Sequence, residues 1–506
     1  MAAPGDISSV ANVEGWHSPK FARGVRDNVI GEIGLQAVRI GGLVVLARAL
    51  MPSDFGLFRV LITVSAIIMM VNDLAAPDTL VQRHDLTSAH ESSAWWATIS
   101  VSTFTCAALY LLAPLVAQAM AMPAIGYALR LLCIPILLEG SVSVPIARLT
   151  RRLEFRILAI AEVVGELAFL GVAIALLAMG LPRYSLVGGL SARMGAHALL
   201  LWCAEPYIPH TGPSRKALIE LRGFASGALG GQIFHAISCN IDYLLVGRML
   251  GSTALGFYGM AWDLLRFVPD RLYKVAGRVT VPAFCRMQHQ PEQLRNAYLS
   301  FLGYMCRLIV PPLVCIGVAA PELLRQIYGP QWIPAAIPLR ILCFGIITIG
   351  LRAGMGAVYY ALGRPVYDAY LHALRFALIA IAVIVSASSG LLWVCASVSA
   401  VEGVCSVVGQ MAACRMLDVG FGRVLRELIP GFTTAAGCGA VTVAGRVLAT
   451  NMGIDGLPEL LLMVALPAAA FLLIEARTVR EMLGSAFGSG AMTLDDQLAN
   501  PVKGNA

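Results

Sequence analysis

Leu129-Arg130-Leu131-Leu132-Cys133 returns 210 positions later as Leu339-Arg340-Ile341-Leu342-Cys343. Each copy opens a long apolar stretch with an arginine near its start. Sliding the chain by 200 positions brings a second set into register. Gly31 then meets Gly231, Ile33 meets Ile233, Arg48 meets Arg248, Leu50 meets Leu250, Gly56 meets Gly256, and Phe58 meets Tyr258. Apolar matches come easily in so apolar a chain. Matched arginines and glycines at nearly one offset do not, so the chain reads as an internal duplication.

The stretches around these patches are too apolar for a water-soluble fold. Of 506 residues, 58% are hydrophobic and only 13% charged, against roughly 25% charged in a soluble domain. Mean hydropathy is +0.75. The apolar residues come in blocks such as Val60–Val71, Leu167–Met179 and Leu460–Ile474. A helix of ~20 mostly apolar residues crosses ~30 Å of hydrocarbon. By that length the chain is expected to be an all-α membrane protein of about fourteen spans. They lie near 28–49, 55–75, 92–118, 124–146, 155–179, 185–202, 223–248, 254–281, 295–318, 332–360, 366–386, 389–412, 427–449 and 455–476, numbered 1 to 14 below.

The match at 200 positions pairs span 1 with span 7, and the match at 210 positions pairs span 4 with span 10. Each repeat therefore holds six spans. An even number gives both repeats the same orientation, related by an axis along the membrane normal, and such parallel repeats build transporters with a site between the lobes. The expected organisation is a tail at 1–27, an N-lobe at 28–210, a C-lobe at 211–420, spans 13 and 14 at 421–480, and a tail at 481–506. The stretch Ala204–Glu220, with Pro206, Pro209 and Pro213, reads as the linker between lobes.

Basic residues set the orientation. One set of loops holds Lys20, Arg23 and Arg26; Arg83; Arg148, Arg151, Arg152 and Arg156; Arg215, Lys216 and Arg222; Arg286 and Arg295; Arg364; Arg415, Arg423 and Arg426; Arg477 and Arg480. The alternate loops hold little beyond Arg48, Arg183, Arg248 and Arg325. The positive-inside rule places the first set, with both termini, in the cytoplasm. The net charge of +7 then reports topology, and no nucleic-acid partner is needed to explain it. Met1–Gly15 has neither a basic start nor an apolar core, so it does not read as a signal peptide. Most of the twelve cysteines sit inside apolar blocks without metal spacing, and read as small buried hydrophobes.

Several stretches resemble the bacterial polysaccharide (oligosaccharide-lipid) flippases of the multidrug/oligosaccharidyl-lipid/polysaccharide exporter superfamily. Leu46-Ala47-Arg48-Ala49-Leu50-Met51-Pro52-Ser53-Asp54-Phe55-Gly56 is similar to their first extracytoplasmic turn. Asp73-Leu74 through Leu80-Val81-Gln82-Arg83-His84-Asp85-Leu86 resembles the next cytoplasmic loop, with Leu-Ala-Ala-Pro where the family has a glycine-rich run. Asn240-Ile241-Asp242, Gly247-Arg248 and Leu255-Gly256-Phe257-Tyr258 resemble the start of their second lobe. Ile327-Tyr328-Gly329-Pro330-Gln331-Trp332, followed by Pro334-Ala335-Ala336, resembles the turn before span 10. Order and spacing over roughly residues 28–415 carry the likeness. It implies a two-lobed helical transporter that moves a lipid-linked sugar chain between leaflets by alternating access. The implied partners are a lipid-linked oligosaccharide, the inner-membrane bilayer, and the polysaccharide polymerase and export machinery.

Ionisable side chains at mid-membrane cost about 2.5–3.5 kcal/mol on insertion scales, so they face protein or water. Glu32, Gln36 and Arg39 share one helical face, as do Asp368, His372 and Arg375. Asp263, Arg266, Asp270 and Lys274 make a stripe interrupted by Pro269, and Gln232, His235 and Asp242 line one side of span 7. The functional reading is an aqueous cavity between the lobes lined by Arg39, Arg266, Lys274, Arg340 and Arg375, with Arg130 placed like Arg340. Arginine suits a diphosphate headgroup through paired N–H donors. The plainer reading is ion pairs that hold helices together, for which Glu32 with Arg39 and Asp263 with Arg266 are spaced. Glu162 and Glu166 form an i, i+4 carboxylate pair with no evident basic partner. They are candidates for ion coupling, with Glu32 and Asp242, or for plain hydrogen bonding between helices. Arg148, Arg151, Arg152 and Arg156 fit lipid headgroups less well than simple topology.

No GxxxxGK[ST] loop occurs, so ATP-driven export by this chain alone is not expected. No cofactor or metal is called for, and no loop is long enough for a soluble catalytic domain. Two rival readings stand. A drug/cation antiporter of the same superfamily is expected to have a cavity dominated by carboxylates and aromatics. A membrane sugar polymerase or ligase is expected to carry a long extracytoplasmic loop with catalytic Arg or His.

Overall fold

The computed structural model describes residues 34–36, 38–73, 80–81, 86–225 and 229–488. Every regular element among them is helical. Ten segments are long and apolar enough to cross a membrane: Ser88–Ala119, Pro123–Arg151, Phe155–Ala178, Tyr184–Ala204, Pro291–Val318, Pro330–Ala361, Val366–Ser389, Leu391–Leu417, Phe421–Asn451 and Leu457–Ala476. These coincide with spans 3 to 6 and 9 to 14. The other four expected spans do not meet that criterion among the described residues. Span 2 is the helix Pro52–Asp73, and span 1 is helical over 38–49. Spans 7 and 8 form one helical run, Leu229–Arg286, broken at Gly251, whose φ of 85° is open to a residue without Cβ. Large apolar side chains lie bare on the outside, as with Phe104 at 75% and Leu473 at 81% exposure. That is an outer surface for lipid rather than water.

Prolines explain where the helices bend. A proline has no N–H for the carbonyl four residues back. Span 4 is cut into Pro123–Leu131, Cys133–Ser141 and Ser143–Arg151. The cuts fall at the carbonyls of Leu131 and Ser141, which Pro135 and Pro145 leave without a helical donor. The Trp95 indole donates to the freed Ser141 carbonyl at 3.1 Å.

The chain divides into two compact units. The first is Met1–Gly259 with Ile327–Gln331 and Ile379–Leu391; the second is Met260–Gln326, Trp332–Leu378 and Leu392–Ala506. In the first, Phe155–Ala178 packs on Pro182–Ala204 through glycines. A Cβ on Gly189 would stand 2.8 Å from the Phe169 carbonyl oxygen, so the backbones approach as only small residues allow. Leu46, Leu50, Ala173 and Leu186 are buried together, with Phe55, Phe58 and Phe169 against them. In the second, Pro291–Val318 lies on Phe421–Asn451, where a Cβ on Gly431 would stand 2.6 Å from Cys306 Sγ.

The stretch after span 6 is bound to the first unit at many points. Glu205 accepts from Arg148 at 3.2 Å and Arg152 at 2.8 Å. Tyr207 is buried, within 3.2 Å of the Ser92 hydroxyl. The Ser93 hydroxyl accepts from the Ser214 amide, and Glu220 meets His90 at 3.0 Å.

Candidate functional site

Glu166 lies on span 5 with 9% of its side chain exposed. An ionised carboxylate in an apolar span is costly unless paired. Here Arg39 of span 1 donates through Nε to Glu166 Oε2 at 3.1 Å, and Arg193 Nε of span 6 stands 3.9 Å from the same oxygen. The two arginine side chains keep 35% and 44% exposure. All three border one cavity of about 380 Å³ within the first unit. Its walls are otherwise mainly apolar, with Phe55, Phe58 and Phe169 prominent. The carboxylate expected to lack a basic partner therefore has two. The expected Arg39 partner, Glu32, lies outside the described residues. Glu162, one turn before Glu166, is exposed.

The second unit repeats the motif with its signs exchanged. Glu402 of span 12 is fully buried, and Arg375 of span 11 reaches its Oε1 through Nε at 2.8 Å and a terminal nitrogen at 2.7 Å. Arg352 donates to Oε2 at 3.1 Å. Glu166 and Arg193 are 27 residues apart, as are Arg375 and Glu402. Both members shift by 209 positions, from glutamate to arginine and from arginine to glutamate. Arg375, expected to line an open cavity, is 5% exposed and committed to this closed cluster. Arg193, Arg352 and Glu402 are the charged partners that sequence reasoning passed over. A lone charge inside an apolar run, as in Val401-Glu402-Gly403, was the available signal.

Arg130 and Arg340 also play one role twice. Arg130 donates through Nε to the Tyr110 carbonyl at 3.4 Å and lies over the Tyr110 ring at 4.8 Å. Arg340 donates through Nε to the Gly317 carbonyl at 3.1 Å. Tyr110 precedes Pro114 by four residues and Gly317 precedes Pro321 by four, so both carbonyls have lost their helical N–H to proline. Each arginine supplies the missing donor. Next to them, Cys133 Sγ donates to the Cys106 carbonyl and Cys343 Sγ to the Leu313 carbonyl. All three features of the accepting segment, at 106, 110 and 114, recur 207 positions later.

Among the other candidates in the second unit, Arg266 lies over the Trp262 ring at 5.6 Å and, with Arg375 and Arg352, brings positive charge near Glu402, while Lys274 is exposed. Asp368 and His372 stand 3.8 Å apart. In the first unit Asp242 is buried and accepts from the Tyr258 hydroxyl at 2.8 Å, beside Tyr243 and the Arg59 guanidinium stacked over it at 4.0 Å. The side chains of Gln232 and His235 lie outside what is described. Arg148 binds Glu91 at 2.6 Å as well as Glu205, and Arg151 binds the Leu80 carbonyl at 2.8 Å, so both serve packing. No group of three or more metal-binding side chains occurs among the described residues.

Comparison with known proteins gives consistent likenesses. Residues 45–337 match the family described as polysaccharide biosynthesis protein. The succinoglycan biosynthesis transport protein ExoT of Rhizobium meliloti (strain 1021) is 26% identical over 64% of this chain and 66% of its own length, so the chain spans just under two thirds of it. The teichuronic acid biosynthesis protein TuaB of Bacillus subtilis (strain 168) is 21% identical over 80% of this chain and 84% of its own. Among solved structures, a lipid II flippase MurJ in an inward closed conformation superposes with a TM-score of 0.69 at 11% identity, covering 90% of this chain and all of that one. At that identity the likeness shows a shared fold.

Proposed function

This chain belongs to the family of polysaccharide biosynthesis proteins, and from that premise we propose that it is a flippase. Its cargo is a lipid-linked oligosaccharide, carried on a polyprenyl diphosphate. It moves that cargo across the inner membrane by alternating access for surface polysaccharide assembly. The observation that carries this reading is the cavity of the first unit, where two half-exposed arginines share one carboxylate among apolar walls. Such a site offers net positive charge to a phosphate group and apolar surface to the lipid that bears it. The rival drug/cation antiporter reading expects carboxylates and aromatics; the phenylalanines here fit either reading, and the excess of arginine over carboxylate favours an anionic cargo.

The reading extends to Arg266 and Lys274 as further contacts of the anionic headgroup, to two six-span lobes, and to cytoplasmic termini. In this scheme the chain does no bond chemistry. It binds an anionic headgroup, carries it past the hydrocarbon, and releases it. The test is to make Arg39→Ala, Arg266→Ala and Lys274→Ala and to measure membrane abundance and surface polysaccharide side by side. Normal abundance with lost polysaccharide is expected. Unchanged polysaccharide in all three variants contradicts the reading.

A further inference from the structure

The sign-exchanged clusters of the two units differ in one respect that matters chemically. Around Glu402 both carboxylate oxygens are taken, Arg375 uses two nitrogens, and the glutamate has no exposure at all. That glutamate is sealed, and both of its oxygens are committed to the two arginines. Around Glu166 a single oxygen serves both arginines, and Arg39 hydrogen-bonds through Nε alone among the described residues. Its terminal N–H pair, the fork that suits a phosphate oxygen pair, is uncommitted among the described residues. The cluster borders a cavity of about 380 Å³. Ser65 on the same wall is buried with its hydroxyl unpaired among the described residues. Two positive groups, one negative group and a spare hydroxyl leave the cavity short of one anion.

We propose that Glu166 is an internal stand-in for the substrate's phosphate: it holds Arg39 and Arg193 in the empty cavity, and a lipid-borne phosphate ester entering there takes them over. The proposal rests on the flippase reading and adds the step by which cargo is admitted. A resident carboxylate keeps two guanidiniums from facing an apolar cavity unpaired, a state that low dielectric penalises. It also competes with every incoming anion, which weakens the hold on cargo and favours release. Entry is then an exchange of one anion for another at fixed arginines, with no bond made or broken. The aromatic walls at Phe55, Phe58 and Phe169 select a phosphate that carries a lipid over a free one. Arg375 and Glu402 show the same ion pair used as a plain staple, with the glutamate fully buried.

The experiment uses the full chain purified in detergent, with farnesyl diphosphate and inorganic pyrophosphate as probes. Glu166→Gln removes the competing charge and keeps the side chain's shape. It is expected to bind farnesyl diphosphate at least tenfold more tightly than the unsubstituted chain, with pyrophosphate weaker than farnesyl diphosphate in both. Adding Arg39→Ala to Glu166→Gln is expected to abolish the gain. Should Glu166→Gln fail to fold, Glu166→Asp draws the carboxylate back by one methylene and is expected to give a smaller gain. Equal or weaker binding by folded Glu166→Gln overturns the proposal. Equal binding of the two probes overturns its lipid part. The flippase reading is judged separately by export: if Arg39→Ala still stops export while Glu166→Gln gains no affinity, the stand-in fails and the flippase stands.

Discussion

Gly56 and Gly256 approach each other's backbone reciprocally. A Cβ on Gly56 would stand 1.8 Å from the Ser252 carbonyl oxygen, and a Cβ on Gly256 would stand 1.9 Å from the Pro52 carbonyl oxygen. Pro52 and Ser252 are themselves 200 positions apart, as are the two glycines. Residue i meeting j′ while j meets i′ is the signature of a two-fold contact. A neighbouring pair follows suit. Gln331 donates to the Ala47 carbonyl at 2.8 Å, while a Cβ on Gly247, the partner of Ala47 in the repeat, would meet Met120 and Met122 at 3.2 and 3.6 Å.

Gly56→Ala and Gly256→Ala are therefore expected to be matched in effect. Each forces a methyl group against a carbonyl oxygen, and overpacking of this kind costs about 1–3 kcal/mol. Gly171→Ala, on a helix with nothing within 4 Å of the added carbon, is the control and should leave stability unchanged or slightly higher. Thermal unfolding of the three purified variants measures this. A loss at one of the two paired glycines with none at the other contradicts the reciprocity.

Arg130 and Arg340 offer a double-mutant cycle. Removing either donor strands a proline-freed carbonyl, at a cost of about 1–3 kcal/mol. Pro114→Ala returns an N–H to the Tyr110 carbonyl, so Arg130→Ala should cost less in that background. The same holds for Arg340→Ala with Pro321→Ala. Additive losses in both cycles would show that the arginines do not act through these carbonyls.

Glu402→Ala leaves buried Arg375, and Arg352 with 23% of its side chain exposed, without their carboxylate. Breaking a buried pair costs about 3–5 kcal/mol, so the variant should nearly vanish from the membrane fraction. Arg193→Ala, whose side chain is 44% exposed, should be retained at close to normal abundance. Equal abundance of the two variants contradicts the contrast between sealed and open clusters.

Reporter fusions after Arg183 and Ala319 should report the periplasm, and fusions after Arg152 and Arg423 the cytoplasm. The motivation is the asymmetry of basic residues between alternate loops. Opposite signals at any two of these sites overturn the topology.

The long helices were legible because an apolar run such as Leu167–Met179 has one physical use at that length. The duplication was legible where identity survived, at Arg130 and Arg340. It was illegible at Glu166 and Arg375, because a charge exchange preserves the ion pair and erases the match. The partners of Glu166 were also out of reach: Arg39 is 127 residues away, and i, i+4 spacing speaks only for neighbours on one helix. Short range misled in the same way at Arg375, whose helix offered Asp368 and His372 while the bond went to Glu402 on the next span. The freed carbonyls of Tyr110 and Gly317 could have been read from Pro114 and Pro321, but which side chain fills them is decided by packing.

The most direct test is transbilayer movement itself. The purified chain is placed in liposomes with a fluorescent lipid-linked oligosaccharide, and the label reaching the opposite leaflet is followed without ATP. The account predicts movement by the unsubstituted chain and its loss in Arg39→Ala and Arg193→Ala at equal protein content. No movement by folded, unsubstituted protein, or equal movement by all three, contradicts it.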